Sequence, residues 1–158
     1  MTSDASIATV REAFSDVARP SGLFVRGTCL CCECISHNEV LAAHDPDSIT
    51  LKELGNPGYD PMCFASDEAF AYYMPAMVRL AFEDHHYMEQ IVFHLTMPGR
   101  VERLSPAHAK AVRAALWSWS AIYLEKVSTD WNITGEIYRF EEALRRLEAA
   151  ANSTAYQP

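Results

Sequence analysis

Apolar residues recur along this chain at steps of three and four, and no run alternates apolar with polar residues at steps of two. Side chains three and four apart share one helix face, whereas a strand shows its inner face at every second residue, so the pattern predicts helices and no substantial sheet. Ile7, Val10, Phe14 and Val17 mark a first helix, capped by Ser3 or Asp4 and ended by Arg19-Pro20-Ser21-Gly22. Leu23-Phe24-Val25 is a short candidate for extended chain. A short helix over 35–43 and a further turn around Leu51 and Leu54, opened by Ser48 or Thr50, come next. Ser66 opens a central helix with the stripe Phe70, Met74, Met77, Val78 and Ala81, which Pro75 should kink or divide. Tyr87, Ile91 and Leu95 continue the pattern. Ser105-Pro106 starts a long helix carrying Val112, Leu116, Trp119 and Ile122, ending near Val127. The last helix carries Ile137, Phe140, Leu144 and Leu147, with Glu141–Arg145 and Glu142–Arg146 pairs outside. The expected fold is all-α: a single compact domain of about five to six helices over residues 1–151, a cysteine-rich loop at 29–63 and a frayed tail at 152–158.

A chain of 158 residues is long enough to bury roughly 70% of its unfolded surface, so the core needs no metal or disulfide to hold it. Its formal net charge is −8, from 21 acidic against 13 basic residues. An acidic surface repels phosphate, and the basic residues form no cluster, so neither nucleic acid nor an anionic membrane is an expected partner. The first residues lack the basic and apolar regions of a signal peptide, and no stretch reaches the ~18 apolar residues of a membrane span. The expected compartment is the cytoplasm, where thiols stay reduced and free for metal.

Four of the five cysteines stand in the run Cys29-Leu30-Cys31-Cys32-Glu33-Cys34, with His37 three residues beyond and Cys63 apart from the rest. Thiolates with an imidazole alongside are the donors of a structural zinc site, which takes four ligands in a tetrahedron. Cys31-x-x-Cys34 has knuckle spacing, Cys34 and His37 share a face if that segment is helical, and Cys63 can close the set from the other side. Cys29 and Cys32 are spare thiols or an alternative ligand pair. The segment Gly55-Asn56-Pro57-Gly58-Tyr59-Asp60-Pro61 is stiff enough to place one particular side chain, and Cys63 follows it. A redox dithiol fits less well, because that chemistry sits after a strand in an α/β fold. An iron–sulfur cluster also fits less well, since the spacing matches neither ferredoxin pattern.

Other residues carry weaker signals. His85-His86 beside Glu83 and Asp84 is a second metal patch, but adjacent histidines on a helix point about 100° apart and seldom share an ion. His94, near an apolar stripe, reads as a satisfied, partly buried residue rather than a ligand; His44 and His108 read as surface or capping positions. Trp117, Trp119 and Trp131, with Tyr72, Tyr73 and Tyr87, could line a pocket, although helical spacing favours core packing. No nucleophile elbow, phosphate loop or dinucleotide fingerprint occurs.

The segment from Cys31 to about Leu80 resembles a bacterial family of small uncharacterised proteins. The likeness rests on Cys31-x-x-Cys34-x-x-His37, on Leu54-Gly55-Asn56-Pro57-Gly58-Tyr59-Asp60-Pro61-x-Cys63-Phe64, and on Ala69-Phe70-Ala71-Tyr72-Tyr73-Met74-Pro75-Ala76. In that family the tyrosine of the turn is often tryptophan. The resemblance implies that Cys31, Cys34, His37 and Cys63 belong together, and it implies no activity. Cys29 and Cys32 depart from the simpler pattern.

Two functions follow as expectations. The first is a non-enzymatic helical protein, stabilised by zinc on Cys31, Cys34, His37 and Cys63 and acting through a protein partner or through self-association of its C-terminal helices. The alternative is a metal-dependent or thiol-redox enzyme in which the metal keeps an open position or a thiol reacts.

Overall fold

A computed structural model of the chain describes residues 2–22, 24–27, 31–127 and 133–153. Seven α-helices run through them in order: α1 (Ser3–Ala13), α2 (Cys32–Ala43), α3 (Leu51–Leu54), α4 (Asp67–Glu83), α5 (Tyr87–Thr96), α6 (Pro106–Val127) and α7 (Ile133–Ala151). Three 3-10 turns lie at Pro57–Tyr59, Pro61–Cys63 and Val101–Arg103. The domain is all-α, as the apolar spacing requires. Within the described residues the nearest thing to a sheet is one antiparallel bridge between Val25 and Ala65.

The helix boundaries follow capping chemistry. Thr2, one residue before the expected caps Ser3 and Asp4, accepts the amide of Ala5. Thr50 and Glu53 form a reciprocal capping box over the short α3. Ser66 caps α4 and Ser105 caps α6, each accepting the amide three residues on at 3.1 and 3.2 Å. The first helix stops at Ala13 rather than continuing to Val17, with the amide of Phe14 closing back on Val10 and Glu12. Pro75 does not divide α4, which runs unbroken from Asp67 to Glu83.

α6 packs on α7 and α1, α4 on α1 and α5, and α5 on α7. Trp119, Tyr73, Tyr87 and Phe70 are among the largest fully buried side chains. Each such burial contributes roughly 1.5–3 kcal/mol. Trp119 also donates its ring N–H to the Ala81 carbonyl at 3.0 Å, so no donor is stranded. The apolar stripe misleads at two places: Ile122 and Ile137 are exposed. Trp117 is also exposed, and Trp131 lies outside the described residues. On α7, Glu142 holds both Arg145 at 2.8 Å and Arg146 at 2.7 Å, so the expected Glu141–Arg145 pair gives way to Glu142.

Two devices bring the cysteine-bearing segment to the scaffold. The amide of Arg26 donates to the Phe64 carbonyl and the amide of Ser66 to the Phe24 carbonyl, both at 2.7 Å. This clamps the chain entering the cysteine run against the residues that follow Cys63. At the other end, the carbonyls left free at the C-terminus of α2 are collected by side chains. Arg19 takes Ala42 and His44 at 2.6 and 2.8 Å, and Tyr73 of α4 takes Leu41 and His44.

Candidate metal centre

α2 starts inside the cysteine run, three residues before the expected Ile35. Cys31 is its N-cap, and the sulfur accepts the amide of Cys34 at 3.5 Å. The Cys-x-x-Cys spacing of a zinc knuckle is also the spacing of an N-cap and its third helical residue, so both geometries are available to the same four residues. Cys31 and Cys32 are exposed, Cys34 is buried, and Cys29 lies outside the described residues. Cys34 and His37, three apart, share the buried face of α2.

The turn after α3 is built from one device used twice. Asn56-Pro57-Gly58-Tyr59 and Asp60-Pro61-Met62-Cys63 are consecutive 3-10 turns, each opened by an Asx side chain and a proline. Asn56 accepts the amide of Gly58 at 3.0 Å, and Asp60 accepts that of Met62 at 2.8 Å. Gly55 is required before them: a Cβ there would lie 2.5 Å from the Leu51 carbonyl oxygen. The second turn packs against α2 and leaves Cys63 half-buried. The Tyr59 hydroxyl donates to Ser36 of α2 at 2.9 Å.

His37 sits where the two arms meet. It is fully buried, stacked on Phe64 at 4.6 Å between ring centroids and lying against Tyr59 at 4.3 Å. Neither ring nitrogen has a hydrogen-bond partner. The nearest carboxylate oxygen, on Glu33, is 3.8 Å away, too far for a hydrogen bond. A neutral imidazole in this position leaves one N–H and one lone pair unpaired, at a cost of about 1–3 kcal/mol each.

Sequence reasoning missed the other half of the neighbourhood. His94 is fully buried, and its Nε2 lies 2.7 Å from Asp60 Oδ2. The Gln90 amide, turned with its nitrogen inward, donates to the same oxygen at 3.1 Å and to the Leu54 carbonyl at 2.9 Å. Arg100, also buried, donates to the Met62 carbonyl at 2.9 Å and lies over the Phe70 ring at 4.6 Å. Its Nε and Nη1 have no partner, and burial followed by the Arg26 charge brings its pKa down to about 10. Burial, and then the Asp60 carboxylate, push the Cys63 thiol up from its ordinary value, against the opposing Arg100 charge. The signal available in the sequence was the second Asx-Pro turn, which marks Asp60 as a cap; nothing marks its partners on α5.

Among the described residues, Asp60, Cys63 and His94 have donor atoms that all lie within 4.8 Å of one another, as do Asp84, His85 and His86. Cys31, Cys34, His37 and Cys63 do not form such a group, so a four-ligand site there requires their donor atoms to draw closer together. His108, expected at the surface, is buried, stacked on Phe14 at 4.1 Å and 3.0 Å from Asp16. His44 caps α2 through its backbone amide, as a capping position should. No family model, curated protein or solved structure matches the chain. No helix among the described residues is long and apolar enough to cross a membrane.

Proposed function

We propose that this is a metal-binding helical protein of the reducing cytoplasm, with zinc the expected ion, held by Cys31, Cys34, His37 and Cys63. The observation that carries the reading is His37: a fully buried imidazole with both nitrogens unpartnered, three residues from buried Cys34 and against the aromatic side chains that flank Cys63. A metal on one nitrogen removes a large part of that unpaired cost and replaces the protons of the thiols. The same four residues are those the family resemblance groups together. The ion's role is to pin α2 to the Asx-Pro turns, and the protein acts through a partner or through a second copy. Exposed Trp117, Ile122, Ile137 and Tyr138 on α6 and α7 offer apolar surface for such contact.

The competing reading is a metal-dependent enzyme with the ion on Asp60, Cys63 and His94, leaving one position open. The proximity of those donor atoms favours it. Against it, His94 Nε2 is already engaged by Asp60, and Gln90 and the Met62 amide occupy the carboxylate, although His94 Nδ1 has no hydrogen-bond partner.

Metal analysis of tag-free protein, followed by X-ray absorption at the metal edge, decides between them. The four-ligand site gives about one equivalent of zinc with three sulfur scatterers near ~2.3 Å and one nitrogen near ~2.0 Å. One sulfur with nitrogen and oxygen neighbours supports the enzyme reading instead. Less than about a tenth of an equivalent of any transition metal overturns both, because structural zinc binds tightly.

A further inference from the structure

We propose that Asp84, His85 and His86 form a second, solvent-facing site for an exchangeable borderline divalent ion such as nickel, copper or zinc. The expectation that neighbouring histidines diverge holds only on a helix, and these two are not on one. α4 ends at Glu83, Asp84 is its C-cap with extended backbone (φ −132°, ψ 112°), and α5 begins at Tyr87. In the break between the helices the two imidazole rings lie close together and tilted, 4.0 Å between centroids with 36° between planes. Asp84 Oδ1 accepts the amide of His86 at 3.0 Å, which folds the carboxylate back over the histidines. One oxygen and two ring nitrogens then lie within 4.8 Å of one another.

The arrangement is also supported from beneath. The His85 ring lies nearly parallel to Tyr123 of α6, at 6.0 Å and 13°, so its orientation is held before any ion arrives. Pre-set ligands lose less freedom on binding. His86 is exposed and provides the route in from solvent. The chain's formal charge of −8 favours approach of a cation.

The donor set selects the ion. Two imidazole nitrogens and one carboxylate oxygen suit nickel, copper, zinc and iron, whereas calcium and magnesium demand oxygen ligands. Three protein donors leave the remaining positions to water, so the ion exchanges and does not serve as a structural staple. This site shares no residue with the thiol centre, and each stands or falls without the other.

The test is equilibrium dialysis of tag-free, metal-replete protein against nickel ion, with NMR of the histidine side chains. Wild-type protein should bind one nickel beyond its resident metal, and substoichiometric nickel should broaden the His85 and His86 signals first. His86→Gln should weaken binding by at least about tenfold, a loss that even outer-shell changes produce at metal sites. His44→Gln should leave this nickel equivalent unchanged. Equal nickel binding by wild-type and a His85→Gln/His86→Gln double variant overturns the proposal. So does broadening in wild-type protein that begins at any other histidine, a result that does not depend on the variants folding.

Discussion

Two histidines, His37 and His94, are completely buried in this protein, and they differ in one nitrogen: His94 has Nε2 paired and only Nδ1 without a partner, whereas both nitrogens of His37 lack one. His94 is given a carboxylate at 2.7 Å, and that carboxylate is itself held by Gln90 and by the turn it caps. His37 is given two aromatic faces and no polar partner. Burying an imidazole is costly only to the extent that its nitrogens go unpaired. Through Nε2, His94 is therefore part of the protein's own polar framework, joining the second Asx-Pro turn to α5. His37 belongs to a framework that protein atoms alone do not complete. Cys63 stands at the end of the turn between them.

The comparison breaks most readily at Asp60. Asp60→Ala leaves His94 Nε2 and the Met62 amide without their partner, takes one of two acceptors from the Gln90 amide, and removes a carboxylate from beside buried Arg100. Stability measured by urea unfolding should fall by about 3–5 kcal/mol, since each buried polar group left without its partner costs about 1–3 kcal/mol. The loss should be the same with metal or with chelator present. A loss that vanishes in chelator would mean that Asp60 acts as a ligand and not as framework.

Removing the metal is the next largest effect. With free zinc at a hundred times its dissociation constant, the bound ion adds about 2.7 kcal/mol, and chelation should take this away. The thermal midpoint should also depend on zinc concentration. Cys63→Ser should abolish most of that dependence while leaving the helical circular dichroism in place, since the apolar core does not rely on the ion.

His37→Leu sharpens the contrast because its sign should invert. In chelator the substitution removes an unpaired buried polar group and should raise stability by roughly 1–2 kcal/mol. In zinc it removes a ligand and should lower it. His94→Leu should be destabilising in both conditions, because it leaves Asp60 without its partner. Matching behaviour of the two variants would erase the distinction drawn between the residues.

That distinction was half visible in the amino-acid sequence. Cys34 and His37 could be placed on one face because i, i+3 spacing is a local property of any helix, and α2 has it. The spacing of the main apolar stripes gave α4 to α7 for the same reason. His94–Asp60 was not visible, because 34 residues and two helix breaks separate the partners, and only packing brings them together. Arg100 carries no signal in the sequence, since arginines are usually exposed; its place over Phe70 depends on the packing of α4. Ile122 and Ile137 show the reverse error. A stripe continues along a helix beyond the point where a neighbour covers it, and the pattern does not record where cover ends.

The smallest expected effect is in the alkaline pH dependence, and its sign identifies which group carries it. Burial, and then the Asp60 charge, raise the Cys63 thiol above its ordinary 9.0 in the folded, metal-free chain. Between that value and the raised one, the unfolded chain has lost the proton that the folded chain retains. The unfolded state then binds fewer protons, so unfolding free energy declines as pH rises. Stability in chelator should be flat up to the ordinary thiol range and fall through the window above it. Tyr73 and Tyr87 are raised too, mainly by burial, but their windows open only from 10.0. Arg100, lowered to about 10, adds a slope of opposite sign near the top of this range, so the thiol is isolated by the difference between wild-type and Cys63→Ser urea midpoints taken between roughly pH 8 and 10. Zinc displaces the proton, so the metal-loaded protein should show no such slope, and Cys63→Ser in chelator should show none either. A slope that survives in the Cys63→Ser protein would assign the titration to another group and remove the argument that Cys63 is held, protonated, beside Asp60.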